Sequence, residues 1–182
     1  MDRRVSSVVT AITMLVLGVA GCGPALREGP NVTGVPEGFL YDENATSGRP
    51  VLPQRRQVSQ SGWMTLNEPH CSIMFTEYEG VADAGEISAA RSEYARRYRN
   101  ETYGALEPLR IDERAAWGWT ESQEYRGALS SLEYTAVVPY DDATWTIEFY
   151  AADPKHRDPA FLKQLVTSFR LGKRARPFVA SR

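Results

Sequence analysis

Two thiols, two imidazoles and a scatter of carboxylates are the groups in this 182-residue chain whose types admit chemistry. Cys71 would act as a nucleophile or redox sensor only with a lowered pKa and a partner base. His70 is adjacent, but neighbours on a strand point to opposite faces, so it is badly placed to activate Cys71. His156 reaches the thiol only through folding. The expectation for Cys71 is a buried thiol packed beside Ile73 and Phe75. Asp141, Asp142, Glu148 and Asp153 invite a metal or glycosidase reading. Calcium needs roughly six to eight converging oxygens, usually from a spaced loop with a glycine, and Asp141-Asp142 lacks both spacing and glycine. A glycosidase holds two carboxyls across a cleft, and no spacing here marks such a pair. These acids are expected at a solvated hairpin tip. With so few cysteines and histidines, a zinc site has almost no ligands to draw on. No Gly-rich phosphate loop, HExxH, GxSxG or SxxK motif occurs. The sequence assigns no catalytic residue, no cofactor-binding residue, no metal ligand and no cofactor.

Aromatic residues are the remaining candidates. Trp63, Trp117, Trp119 and Trp145 could stack a sugar or a lipid, although aromatics on a half-buried sheet more often form core. Trp117 and Trp119 straddle a glycine and would edge a groove. Arg96, Arg97 and Arg99 could meet anionic lipid, against a plainer reading as a solvated helix face that complements the helix dipole.

Cys22 is a different case. It follows a start with Arg3 and Arg4 and a 13-residue uncharged run over residues 8–20. As a helix that run reaches only about 20 Å, short of the roughly 30 Å hydrocarbon core of a bilayer. A basic start, a short apolar core and small residues at the exit are the layout of a secretory signal peptide. Val19-Ala20-Gly21-Cys22 resembles the lipobox of bacterial lipoproteins. The resemblance implies that residues 1–21 are a signal peptide, that the Cys22 thiol receives a diacylglyceryl group, and that Cys22 becomes the first mature residue. Acyl chains such as palmitate, a cell-membrane location and an extracytoplasmic face follow from the same resemblance. The surroundings of Arg3-Arg4 differ from a twin-arginine motif, which favours the general export route. A disulfide between Cys22 and Cys71 is incompatible with that thioether.

Composition sets the outer limits. Hydrophobic residues make up 42% of the chain and charged residues 24%, the proportions of an ordinary globular protein. A net charge of −2 gives no reason to expect nucleic acid as a partner.

The elements that would position these residues begin after a Gly- and Pro-rich stretch. Residues 22–60 are expected to be a flexible tether, because five prolines and five glycines interrupt any apolar period. A chain of that length spans roughly 35 Å and would hold a domain clear of lipid headgroups. Phe39-Leu40-Tyr41 is its one apolar spot, able to dock on the domain or on a partner. The α+β domain is expected over residues 61–173, followed by a basic tail at 174–182. Short β-prone runs at 63–66 and 71–75 precede a helix at 86–100, whose Ile87, Ala90, Tyr94 and Tyr98 make one apolar stripe. Residues 132–138 and 144–150 are strand material joined through Asp141-Asp142 as a hairpin. Asp158 suits an N-cap and Pro159 the first position of a last helix, with Phe161, Leu162, Leu165, Val166 and Phe169 on its apolar face and Gly172 ending it. Lys163 and Gln164 should face water.

This order of a Trp-containing strand with Pro69-His70-Cys71-Ser72-Ile73, a Tyr-bearing helix, the hairpin and a terminal FLKQLVTSFR helix resembles the PsbP/Mog1-like fold of small bacterial lipoproteins. It implies an α+β domain whose twisted antiparallel sheet of about five to seven strands is flanked by helices. It also implies a non-catalytic protein that binds or assists an envelope protein. Two further readings remain, a carrier of an apolar ligand or lipid in a pocket between sheet and helix, and an enzyme of unknown class.

Overall fold

β-Branched and aromatic residues in period-two alternation supply most of the ordered backbone, and antiparallel pairing gathers them into one sheet. The computed structural model describes residues 33–46 and 49–170. Eight strands are present among them, β1 (Phe39–Asp42), β2 (Gln57–Thr65), β3 (Cys71–Glu79), β4 (Glu101–Tyr103), β5 (Glu107–Ile111), β6 (Arg114–Tyr125), β7 (Ala128–Tyr140) and β8 (Ala143–Ala151). The order across the sheet is β1-β2-β3-β8-β7-β6-β4, with β5 also pairing β6. Two helices complete the domain, α1 (Ala84–Arg97) between β3 and β4, and α2 (Pro159–Thr167) at the end. The architecture is the expected α+β class, with eight strands where five to seven were expected. Residues 1–21, expected as a signal peptide, Cys22 and the basic tail expected at 174–182 lie outside the described residues.

Each helix covers one face of the sheet. α2 starts where Asp158 accepts from the Ala160 N–H at 3.0 Å, and it packs Leu162, Leu165 and Val166 against Phe75, Tyr134, Ala136, Ile147 and Phe149. The helix ends at Thr167, not at Gly172, with Ser168 as its C-cap, whose N–H donates to Gln164 O at 3.1 Å. Phe169 lies beyond the helix and still enters the core, stacked on Phe75 with ring centroids 5.2 Å apart. On the opposite face, α1 is capped by Asp83 accepting from Glu86 N at 2.8 Å, and it lays Ile87 and Ala90 on Tyr78, Trp119 and Val137. The central strand β8 is thus covered on both sides, which is why nearly every residue in it is buried.

The tether reading fails from Thr33 onward. Phe39–Asp42 forms the edge strand β1, paired to β2 from Phe39↔Thr65 to Asp42↔Gly62. Val51 and Leu52 are each 1% exposed in the α1-side core, with the Val51 N–H donating to the Tyr78 hydroxyl at 3.0 Å. The Ser168 hydroxyl accepts from Thr33 N at 3.0 Å and donates to Thr33 O at 2.9 Å. Prolines and glycines here shape loops that deliver single apolar residues to the domain, an arrangement without a periodic signature.

Candidate functional site

The strand register sets up the site. On the α1 side, one rung runs Glu121, Glu133, Tyr150, Ser72, Met64 across β6, β7, β8, β3 and β2. The adjacent rung runs Trp119, Thr135, Glu148, Met74, Gly62. Helix α1 covers the Trp119–Val137 end and stops at Arg97, so the glutamate end of this face stays uncovered by it. There the sheet floors a pocket of about 640 Å³. Tyr98 at the end of α1, Glu101 of β4, and Thr46 and Arg49 of the segment before β2 also line it. Gly62 keeps its rung close, since a Cβ there would come within 2.4 Å of Ile73 O.

The pocket gathers four glutamates and one arginine. Arg49 is bonded to Glu101 at 2.7 Å, and its guanidinium lies over the Tyr98 ring, 4.6 Å from the centroid. Glu121 is 3% exposed. Its Oε1 accepts from Trp119 Nε1 at 2.8 Å and Thr135 Oγ1 at 3.2 Å, while its buried Oε2 has no hydrogen-bond partner. Glu148 is 4% exposed and accepts from Thr146 Oγ1 at 3.3 Å. Glu133, half-buried, is the register partner of Glu121.

Low dielectric and like charge set the protonation of this cluster. Burial pushes the Glu121 carboxyl up to about 7, with the Trp119 bond working against the rise. Burial and the Glu121 charge push Glu148 up to about 8. Burial, then Glu121 and Glu148, hold Glu133 well above the usual carboxylate range. At neutral pH the cluster therefore retains protons, which it can donate as hydrogen bonds or release to an incoming cation. Among the described residues no three carboxylate, imidazole or thiol groups are arranged to hold a metal ion.

Apart from Glu148, the structure places the sequence candidates away from this pocket. Cys71 is buried in the α2-side core with Ile73 and Phe75, its Sγ 4.0 Å from Pro69 O. His70 is paired with Glu68 at 2.7 Å, and His156 stacks on Phe161 at 6.0 Å. Asp141 and Asp142 are exposed at the β7–β8 turn as expected, with Asp141 bonded to Arg114 at 2.9 Å. Glu148 does not belong with them. It sits mid-strand on the pocket floor, because the hairpin turn is only two residues long and β8 runs inward from it. Trp119 and Trp145 are core, and Trp117 and Trp63 pack against it, so no tryptophan edges the pocket. Arg96, Arg97 and Arg99 are exposed, and Arg97 is bonded to Glu93 at 2.8 Å. The space between the sheet and α2 is filled by side chains, and the pocket on the other face is lined by four carboxylates beside Met64, Met74 and Tyr150. Sequence reasoning missed Arg49, Glu101, Glu121 and Glu133. The only trace of Glu121 and Glu133 is an acid at an inward-facing position of a strand.

Neither a protein-family model nor a curated protein sequence matches the chain. In structure it is similar to cyanobacterial PsbP (CyanoP) from Synechocystis sp. PCC 6803, with a TM-score of 0.55 at 9% identity over 85% of this chain and 99% of that one. LpqN, involved in cell envelope biogenesis of Mycobacterium tuberculosis, aligns with a TM-score of 0.41 at 15% identity over 76% of this chain and 87% of its own. Among the described residues no helix is long and apolar enough to cross a membrane. The likeness to CyanoP, together with the helix-flanked antiparallel sheet, identifies a PsbP-like fold.

Proposed function

We propose that the chain is a lipid-anchored, extracytoplasmic binding or accessory module of the bacterial cell envelope, without catalysis of its own, and that it takes its ligand in the glutamate-lined pocket. The pocket is the observation that carries the binding half of this reading. It is a concave site of small-molecule size with several converging polar groups and perturbed carboxyls. Function on this fold resides in the site and not in the topology. The non-catalytic half draws support from the thiol and imidazoles. Cys71 faces a backbone carbonyl, and each histidine has a carboxylate or aromatic neighbour away from it. The anchored half rests on the Arg3-Arg4 start, the uncharged run and Val19-Ala20-Gly21-Cys22.

The test of the anchor is metabolic labelling with a tagged fatty acid in a bacterial host. The wild-type chain is expected to take up label and fractionate with membranes, and Cys22→Ser to do neither. Label and membrane association persisting in Cys22→Ser would overturn the anchored reading.

A further inference from the structure

The pocket's charge is unbalanced in a way that points to its ligand. Glu101, Glu121, Glu133 and Glu148 face one guanidinium, and Arg49 already spends its shortest contact on Glu101. Glu121 Oε2 is a buried acceptor with no partner in the protein, a state that native structures rarely leave unexplained. A neutral polyol would hydrogen-bond these oxygens but leave the carboxyls dependent on retained protons for their neutrality. A cation partners the oxygens and takes the place of those protons. The four carboxylates also come from four different strands and do not converge on a metal-sized point, which favours a cation with spread-out N–H donors. Met64, Met74 and Tyr150 supply an adaptable apolar flank for a methylene stem. The Tyr98 ring already accepts a cation on its face, as Arg49 shows.

We propose that this pocket binds a small aliphatic di- or polyamine, one ammonium group lodged against Glu121 and Glu133, a second near Glu148, and the stem lying along Met64, Met74 and Tyr150. The assignment rests on reading the chain as a binding module and names the ligand class of that same site. Binding has a proton signature. The titratable and charged groups around the pocket are Arg49, Tyr78 of β3, Tyr94 of α1 and Tyr98 at its C-cap, Glu101 and Tyr103 of β4, Glu121 of β6, Glu133 of β7, and Glu148 and Tyr150 of β8. An ammonium ion drives the buried carboxyls to ionise, so amine binding near pH 7 releases protons from the glutamates.

The experiment is isothermal calorimetry on the full-length lipidated chain in detergent, with cadaverine, spermidine, 1,5-pentanediol, glucose and calcium chloride as probes. Cadaverine and spermidine are expected to bind, with heats that differ between buffers of different ionisation enthalpy as protons are released. The diol, the sugar and calcium are expected to give no heat of binding at millimolar concentration. Glu133→Gln, at a half-buried position, is expected to weaken cadaverine at least tenfold with an unchanged circular dichroism spectrum. The preference of wild type for cadaverine over the diol of equal length needs no variant, so a misfolded Glu133→Gln leaves the test intact. Equal binding of amine and diol, tighter binding of calcium or glucose, or no binding of either amine would each overturn the assignment. Fatty-acid labelling that still depends on Cys22 alongside a failed amine titration would sink the ligand class alone and leave the anchored-module reading standing.

Discussion

Glu121 and Glu133 are direct register partners on β6 and β7, so two carboxyls rise side by side from one face of the sheet. Like charges directly opposite each other destabilise a sheet, and Glu148 adds a third carboxyl on the next strand, one rung away. The pair persists because the cluster keeps protons at neutral pH and Arg49 stands close by.

That arrangement fixes how stability depends on pH. A carboxyl raised from 4.5 to about 8, as in Glu148, is protonated in the folded chain over a range where the unfolded chain has lost the proton. Its contribution is fully present below about pH 4.5 and is lost as pH rises to about 8. Glu148→Gln removes this dependence. At about 1.4 kcal/mol per pKa unit, the variant is expected to gain on wild type by about 2 kcal/mol or more between pH 5 and pH 9. Lowered groups such as Glu107 and His156 act with the opposite sign in acid, and they cancel in the comparison. Urea denaturation of both proteins across that range is the measurement. A constant difference would show that Glu148 titrates normally.

The α2 face gives a contrast within one helical turn. Leu165 is 3% exposed and Phe169 fully buried, and truncating such a residue to alanine costs about 2–5 kcal/mol through lost burial and a residual cavity. Leu165→Ala and Phe169→Ala should each lower Tm by several degrees or more. Gln164→Ala should stay within about 0.5 kcal/mol of wild type. Lys163 does not serve as a neutral control, because its Nζ bonds Glu107 at 2.6 Å and Glu107 also accepts from the Tyr134 hydroxyl at 2.6 Å.

A chain beginning at residue 57 should be much less stable than one beginning at residue 33. It loses β1, the Phe39 ring set edge-on to Phe149 at 6.0 Å, and the buried Val51 and Leu52. Burial of each large apolar side chain is worth about 1.5–3 kcal/mol, so the loss approaches a domain's total stability of about 5–15 kcal/mol. Thermal melts of the two fragments decide it. Equal melting temperatures would mean that residues 33–56 contribute nothing to the fold.

Gly62→Ala tests the close approach of β2 to β3. The added Cβ would lie 2.4 Å from Ile73 O and 2.8 Å from Met74 Sδ, and the carbonyl cannot move without disturbing the ladder. Overpacking of this kind costs about 1–3 kcal/mol, and the expected readout is a lower urea midpoint with an unchanged m-value.

Much of the architecture was legible in the residues themselves. Asp158-Pro159 marks the start of α2, the Ile87-Ala90-Tyr94 spacing sets the phase of α1, and the β-rich runs on either side of Asp141-Asp142 specify a hairpin. These are local signals, carried within a few residues of the feature they set. β1 was not legible, because only one of its four residues is buried and its pairing comes from the free edge of β2. The glutamate pocket depends on register. Within the β7–β8 hairpin, counting outward from the two-residue turn would have aligned Glu133 with Tyr150 and Thr135 with Glu148. Between β6 and β7 the same counting fails, because a bulge at Gln123/Glu124 shifts the register by one residue. A shift of one residue exchanges the faces of a strand. Counting inward from the Arg126-Gly127 turn without the bulge would have set Glu121 opposite Leu132, out of step with Glu133. The residue types, caps and strand pattern were determined by the sequence alone. That three acids from three strands share one uncovered patch was decided by the bulge and by where α1 ends, features that exist only once the sheet is assembled.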